Sequence, residues 1–182
     1  MYLIPGIIAV IVVAWFVGTY NRLVRLRNQI QNAWHQIEVQ LKRRYDLIPN
    51  LVEVVKDYMS YEQETLTKVI EARNAALSAR GTASQAKAEN ALTESLKSLF
   101  AVVENYPELK ANQNVASLQE ELTGTENKIS FARQYYNDSV MTYNNTIQSI
   151  PSNVIASVFD FKPSEYFETG EEVKAVPKAS LR

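Results

Sequence analysis

The sequence has no cysteine, a single histidine and only five glycines among its 182 residues. Without cysteine there is no disulfide, no thiolate metal site and no thiol nucleophile, as expected of a chain kept in a reducing compartment. So few glycines, with Gly6 and Gly18 both in the first hydrophobic stretch, cannot supply the turns of a β protein, and helix is the default. The one histidine, His35, is followed by Glu38 at helical i, i+3 spacing. A di-metal bundle site needs two Glu-x-x-His pairs and further carboxylates, which are missing, so His35 reads as a surface residue. The same shortage removes a Ser-His-Asp triad built on any other base. No glycine-rich phosphate loop is present, so nucleotide binding has no support. A formal net charge of -1 and a pI near 5.9 leave no bulk electrostatic case for nucleic acid. No catalytic residue, no metal site and no cofactor is expected.

Charge is also missing from the start of the chain. No side chain from Met1 to Asn21 is charged, and Leu3 to Gly18 is almost entirely aliphatic or aromatic apart from Pro5 and Gly6. As a helix, 18 to 20 residues cover about 30 Å, the thickness of a bilayer's hydrocarbon core. A cleaved secretory signal would need a basic leader, a shorter apolar core and a small-residue cleavage site, and none of these is found. Residues 1–21 are therefore read as an uncleaved transmembrane anchor. Trp15 and Tyr20 mark its downstream interface, and Arg22, Arg25 and Arg27 follow at once with no acid before Glu38. Cations resist translocation, so the N-terminus is expected outside and the remainder in the cytoplasm, making a single-pass protein of the cell inner membrane.

Past the anchor, Leu23, Leu26, Ile30, Ala33, Ile37 and Leu41 recur at the helical period, so the spanning helix is expected to run on to about Leu47. Pro49 then predicts a kink or break, with Asp46 and Asn50 beside it as caps. A second helix is expected from Val52 to Arg80 and a third from Leu92 to Val103, with Ser84 in the intervening connection as a possible cap. A longer one carries Val115, Leu118, Leu122, Thr125, Ile129, Ala132, Tyr136, Val140, Tyr143, Ile147 and Ile150. Steps of three and four alternate along it, except for one repeated four at Tyr136 to Val140, so it is a heptad seam with a stutter. The predicted fold is all-α: a transmembrane helix continuing into an elongated antiparallel three- to four-helix bundle with coiled-coil character, covering residues 22–168. A disordered tail is expected at 169–182.

The runs "YNRLVRLRNQIQNAWHQIEVQLKRRYDLIPNLVEVVKDY", "EARNAA", "ARQYYNDSVMTYNNTIQSIPSNVIA" and "FDFKPSEYFE" resemble the LemA proteins of bacteria over nearly the whole chain. Ile150 stands where that pattern more often has Phe. The resemblance implies a membrane-anchored cytoplasmic helical bundle. It supplies no catalytic residues and no reaction.

Several residues have both a structural and a functional reading. Arg22, Arg25 and Arg27 can set topology and also hold anionic headgroups, whereas Lys42 to Arg44 are expected in salt bridges or on a solvated face. Tyr136, Asn137, Tyr143 and Asn144 form a polar network that fixes register, or a strip for a partner. Gly124, inside the long helix, allows a close helix approach. The function expected is a non-enzymatic scaffold or adaptor at the membrane, self-associating into homo-oligomers through leftover apolar surface and holding a protein partner of unknown identity. The alternatives are a regulator of a membrane enzyme and a lipid-sensing or membrane-shaping protein.

Overall fold

The computed structural model describes residues 3–59 and 61–167; the expected tail at 169–182 lies outside the described residues. The described residues form six helices and no strand: α1 (Leu3–Lys56), α2 (Gln63–Ser78), α3 (Thr82–Val103), α4 (Pro107–Lys110), α5 (Gln113–Gln148) and α6 (Ser152–Val158). They divide into two compact units, one of residues 3–38 with 131–166 and one of residues 39–59 and 61–130 with Phe167, and both α1 and α5 contribute to each.

In the first unit, α1 changes character along its length. The large apolar side chains from Leu3 to Val17 are exposed, while Leu23, Ile30, Ala33 and Ile37 are buried. The buried stripe repeats at the helical period and meets the inward face of α5, where Tyr136, Val140, Tyr143 and Ile147 are buried in turn. Gln29 donates from Nε2 to Tyr135 Oη at 3.3 Å and Ser139 Oγ at 3.4 Å, and the Trp34 and Tyr136 rings lie edge to face at 5.5 Å. Helix α6 ends in a Schellman motif: Phe161 N–H donates to Ala156 O at 2.9 Å, and Asp160 sits in the left-handed region with φ 53°. Asp and Asn tolerate that region better than other non-glycine residues. The chain reverses there into an extended strap, residues 161–166.

In the second unit, the end of α1, helices α2 and α3 and the start of α5 share one core, with Ile48, Leu51, Val69, Leu92, Leu99 and Ile129 fully buried. Helices α2 and α3 form an antiparallel hairpin around Gly81, whose φ of 81° is a glycine conformation. Helix α3 starts at Thr82, so Ser84 falls inside its first turn and is not a cap. Asn112 caps α5 instead, its Oδ1 accepting from Asn114 N–H at 2.9 Å. The stretch from Asn105 to Asn112 contains the single-turn helix α4, and Leu109 is buried there.

The break expected at Pro49 does not occur. Helix α1 runs through Pro49 and ends at Lys56, and the second helix starts only at Gln63. Proline removes the donor that would reach the carbonyl four residues back, which is Tyr45 O. The Nε of Arg73, on α2, donates to that carbonyl at 2.8 Å. The orphaned acceptor is thereby satisfied from another helix, and the ladder is spared the cost of an unpaired buried carbonyl. Asp46 and Asn50 lie on the exposed side of a continuous helix, so neither is the cap it was expected to be. The true break, after Lys56, carries neither Pro nor Gly; Met59, buried there, pins the chain.

Two further expectations fail. Ile150, placed on the heptad seam, is 86% exposed because α5 ends at Gln148. A Cβ built on Gly124 meets nothing within 4 Å, so no helix approaches it closely.

Candidate functional site

Two polar constellations sit on buried helix faces, one in each unit, and each replaces apolar seam positions with groups whose bonding is specified. The first belongs to the rear of α5. Tyr143 Oη donates to Lys162 O at 3.0 Å and Tyr136 Oη to Glu165 O at 3.0 Å. Asn144 uses both ends of its amide, donating from Nδ2 to Ser164 O at 2.9 Å and accepting from Ser164 N–H at 2.9 Å. These spacings belong together: as α5 is followed backward from Tyr143 to Tyr136, the strap is followed forward from Lys162 to Glu165, so an extended segment lies antiparallel along one face of the helix. Burial raises the Tyr143 phenol above its ordinary pKa, partly countered by the charge of Arg27. Asn137, partly buried, lies one position past Tyr136 on the same helix. Three of the four residues expected to form a polar network or partner strip, Tyr136, Tyr143 and Asn144, thus grip the backbone of the chain's own strap.

The residues expected at the membrane interface lie in the same unit. Tyr20 packs on Phe159 at 4.8 Å and on Phe161 at 5.9 Å, and Phe16 lies 5.8 Å from Phe159. The Arg27 guanidinium stacks over the Phe161 ring at 5.3 Å, a cation–π contact. Arg22 and Arg25 are exposed, and Trp15 and Arg22 help to wall a cavity of about 410 Å³ whose other side is the α5–α6 turn.

The second constellation, missed in the sequence, is centred on Arg44. Lys42 and Arg43 are exposed, and Arg43 pairs with Glu121 at 3.3 Å, but Arg44 is 1% exposed. Its Nη1 reaches Glu126 at 2.9 Å and Glu89 at 3.4 Å, and its Nη2 donates to Thr93 Oγ1 at 2.8 Å. Glu89, itself fully buried, also accepts from Tyr45 Oη and from Gln85 Nε2. Burial first, and then the bond to Glu89, drives the Tyr45 phenol far above its ordinary pKa. A cavity of about 170 Å³, mostly apolar, opens beside Arg44 and Thr93. A sequence signal for this cluster existed: Gln85 and Glu89 extend the Leu92, Leu96, Leu99, Val103 seam backward at the same four–three spacing.

His35 Nδ1 lies 2.8 Å from Glu38, whose other oxygen accepts from Trp34 Nε1 at 2.7 Å, all at the surface. No group of three or more potential metal-ligating His, Asp or Glu side chains occurs among the described residues.

An exposed apolar helix that continues into a bundle core defines a membrane-associated helical-bundle protein. The family model described as the LemA family matches residues 33–180. The chain belongs to the LemA family. It is 26% identical over 157 residues to Protein LemA of Metamycoplasma hominis, covering 86% of this chain and 72% of that protein. It is also 25% identical over 192 residues to Magnetosome protein MamQ 2 of Paramagnetospirillum magneticum, covering 89% of this chain and 71% of that protein.

Proposed function

We propose that this protein is a non-enzymatic scaffold of the cell inner membrane, held by a single span with its N-terminus outside, whose cytoplasmic bundle gathers copies of itself and a protein partner. The observation that carries the proposal is α1: one helix of 54 residues bears both the exposed apolar stretch and a row of bundle-core side chains. A tether alone would need no such continuity, whereas a scaffold that presents its bundle to partners gains from a fixed connection to the membrane. The polar groups on buried faces add support. Among the described residues they are taken up by ion pairing around Arg44 and by the strap on α5. Exposed apolar side chains outside the span, Val39 and Phe131 among them, offer surface for association.

Crosslinking in intact membranes, followed by mass spectrometry, tests this reading. Homo-crosslinks together with a reproducible partner protein are the expected result. Recovery of the chain solely as an uncrosslinked monomer would refute it. Protease treatment from the outer face should leave the bundle intact, and its digestion would reverse the orientation.

A further inference from the structure

We propose that α6 and the turn before it form a second membrane contact: the stripe Ile150, Val154 and Val158, with Phe159, lies in the interfacial layer of the bilayer beside the downstream end of the span. The proposal rests on the reading of the N-terminal segment as a transmembrane anchor.

The stripe is amphipathic in the sense that matters at an interface. Ile150 is 86% exposed, Val154 61%, Val158 68% and Phe159 45%; Val154 and Val158 lie four apart on one face of α6, with Ile150 in the turn before it and Phe159 at its C-terminal cap. The opposite face is used: Ile155 and Ala156 are buried within the unit. Four exposed apolar groups on and immediately beside a seven-residue helix ask for an apolar cover, and their position says which one. Phe159 touches Phe16, within the exposed apolar stretch, and Tyr20, just past it. At the other end of α6, Ile150, Pro151 and Ser152 share the wall of one cavity with Trp15, Thr19 and Arg22. Phe159, past one end of α6, meets residues 16 and 20 of α1, and the turn at the other end shares a cavity with residues 15, 19 and 22. Both ends of α6 are thus held at the downstream end of the span, where an interfacial helix lies.

Charge distribution argues the same way from the sequence. No side chain from Ser139 to Phe159 is charged, the first acid after it being Asp160, and the other stretch brought to this corner, Met1 to Asn21, is uncharged too. Two separate neutral stretches meet at one level, and Arg22, Arg25 and Arg27 follow where anionic headgroups would lie. The stripe thus continues the apolar surface of the span, and the lipid that covers Leu3 to Val17 covers it as well.

Because the chain has no native cysteine, single Val154→Cys and Val158→Cys variants of the full-length protein can each carry one environment-sensitive fluorophore. These are reconstituted into vesicles of phosphatidylethanolamine and phosphatidylglycerol containing lipids spin-labelled near the headgroup. Val10→Cys serves as the in-span reference. Gln36→Cys, exposed and about 20 Å beyond Arg22 along α1, serves as the aqueous reference. Labels at 154 and 158 should emit at shorter wavelength than the label at 36, with quenching at least half of that at 10. Quenching no greater than at 36, while the label at 10 is quenched, overturns the proposal and leaves the anchor standing. No quenching at 10 overturns the anchor and the proposal together. A blue shift that disappears on dilution into excess lipid, with no quenching, would show that a second copy of the chain covers the stripe, and would also overturn the proposal.

Discussion

Replacing Arg73 by Met should destabilise the bundle only because Pro49 is present. Methionine retains much of the apolar stem but cannot donate, so Tyr45 O loses the 2.8 Å bond that stands in for the missing Pro49 N–H. A hydrogen bond to a charged donor is worth about 1.5–3 kcal/mol; taking a value of about 2 kcal/mol, a domain of this size should melt roughly 4–8 °C lower. Changing Pro49 to Ala restores an N–H aimed at the same carbonyl, so in that background Arg73→Met should cost no more than about 1 kcal/mol. The quantity to measure is the coupling energy of the Pro49→Ala and Arg73→Met cycle, from urea unfolding of the full chain in detergent followed by helical circular dichroism. A coupling of about 1 kcal/mol or more is expected, above the few tenths within which unrelated sites add. Strict additivity would refute the account of how α1 passes through its proline, whatever the size of the single effects.

Three other outcomes follow from the geometry. Gly124→Ala should raise stability by about 1 kcal/mol, since the added methyl meets open space and helix propensity improves; a loss in the same urea titration would reveal a close approach. Asn144→Leu should cost about 2–3 kcal/mol, through two lost bonds to Ser164. Hydrogen exchange should then accelerate across residues 161–166, and unchanged protection would show that other contacts hold the strap. The Tyr45 phenol is raised above its ordinary value of 10.0 by burial and by Glu89, so the protonated form is the one the fold favours. Its contribution is complete below about pH 10 and is lost as pH rises above that value. Unfolding across the alkaline range should show Tyr45→Phe with a shallower decline than the parent, and identical slopes would deny the effect.

The long apolar N-terminal helix, the helical class and most of the core were legible because they depend on runs and periodicity of apolar residues, which the chain states plainly from Leu3 to Val17, from Leu23 to Leu41 and from Val115 to Ile147. What escaped was every feature set by a partner distant in sequence. Pro49 carries the same local message whether or not a donor waits nearby, and nothing within α1 announces Arg73. Glu89, between Ala88 and Asn90, carries no local sign of its partners Arg44 and Tyr45, although its spacing to Leu92 places it on the buried seam. Arg44 belonged to a basic run that reads as solvated, yet its neighbours Arg43 and Arg44 face opposite environments because adjacent helical residues are 100° apart. Ile150 kept the heptad step after the helix had ended, since a pattern of apolar residues does not record where the backbone turns.

The strap on α5 bears on which partners the protein can take. An extended peptide that bound the strip in trans would have to copy the bonds Lys162, Ser164 and Glu165 already offer to Tyr143, Asn144 and Tyr136. The strap is covalently attached, and a short tether acts as an effective concentration of millimolar order. A competing peptide present at micromolar concentration with equal intrinsic affinity would therefore lose by about a thousandfold. The strip is thus closed to extended peptides unless the strap first lets go. Under the scaffold role proposed above, a protein partner would instead meet surfaces left exposed among the described residues, such as the ring of Phe131. Asn144→Leu, which frees the strap, should consequently leave adaptor binding unaltered even as it lowers stability. A partner captured only by that variant would mean that the strip itself is the docking site, with the strap as its inhibitor.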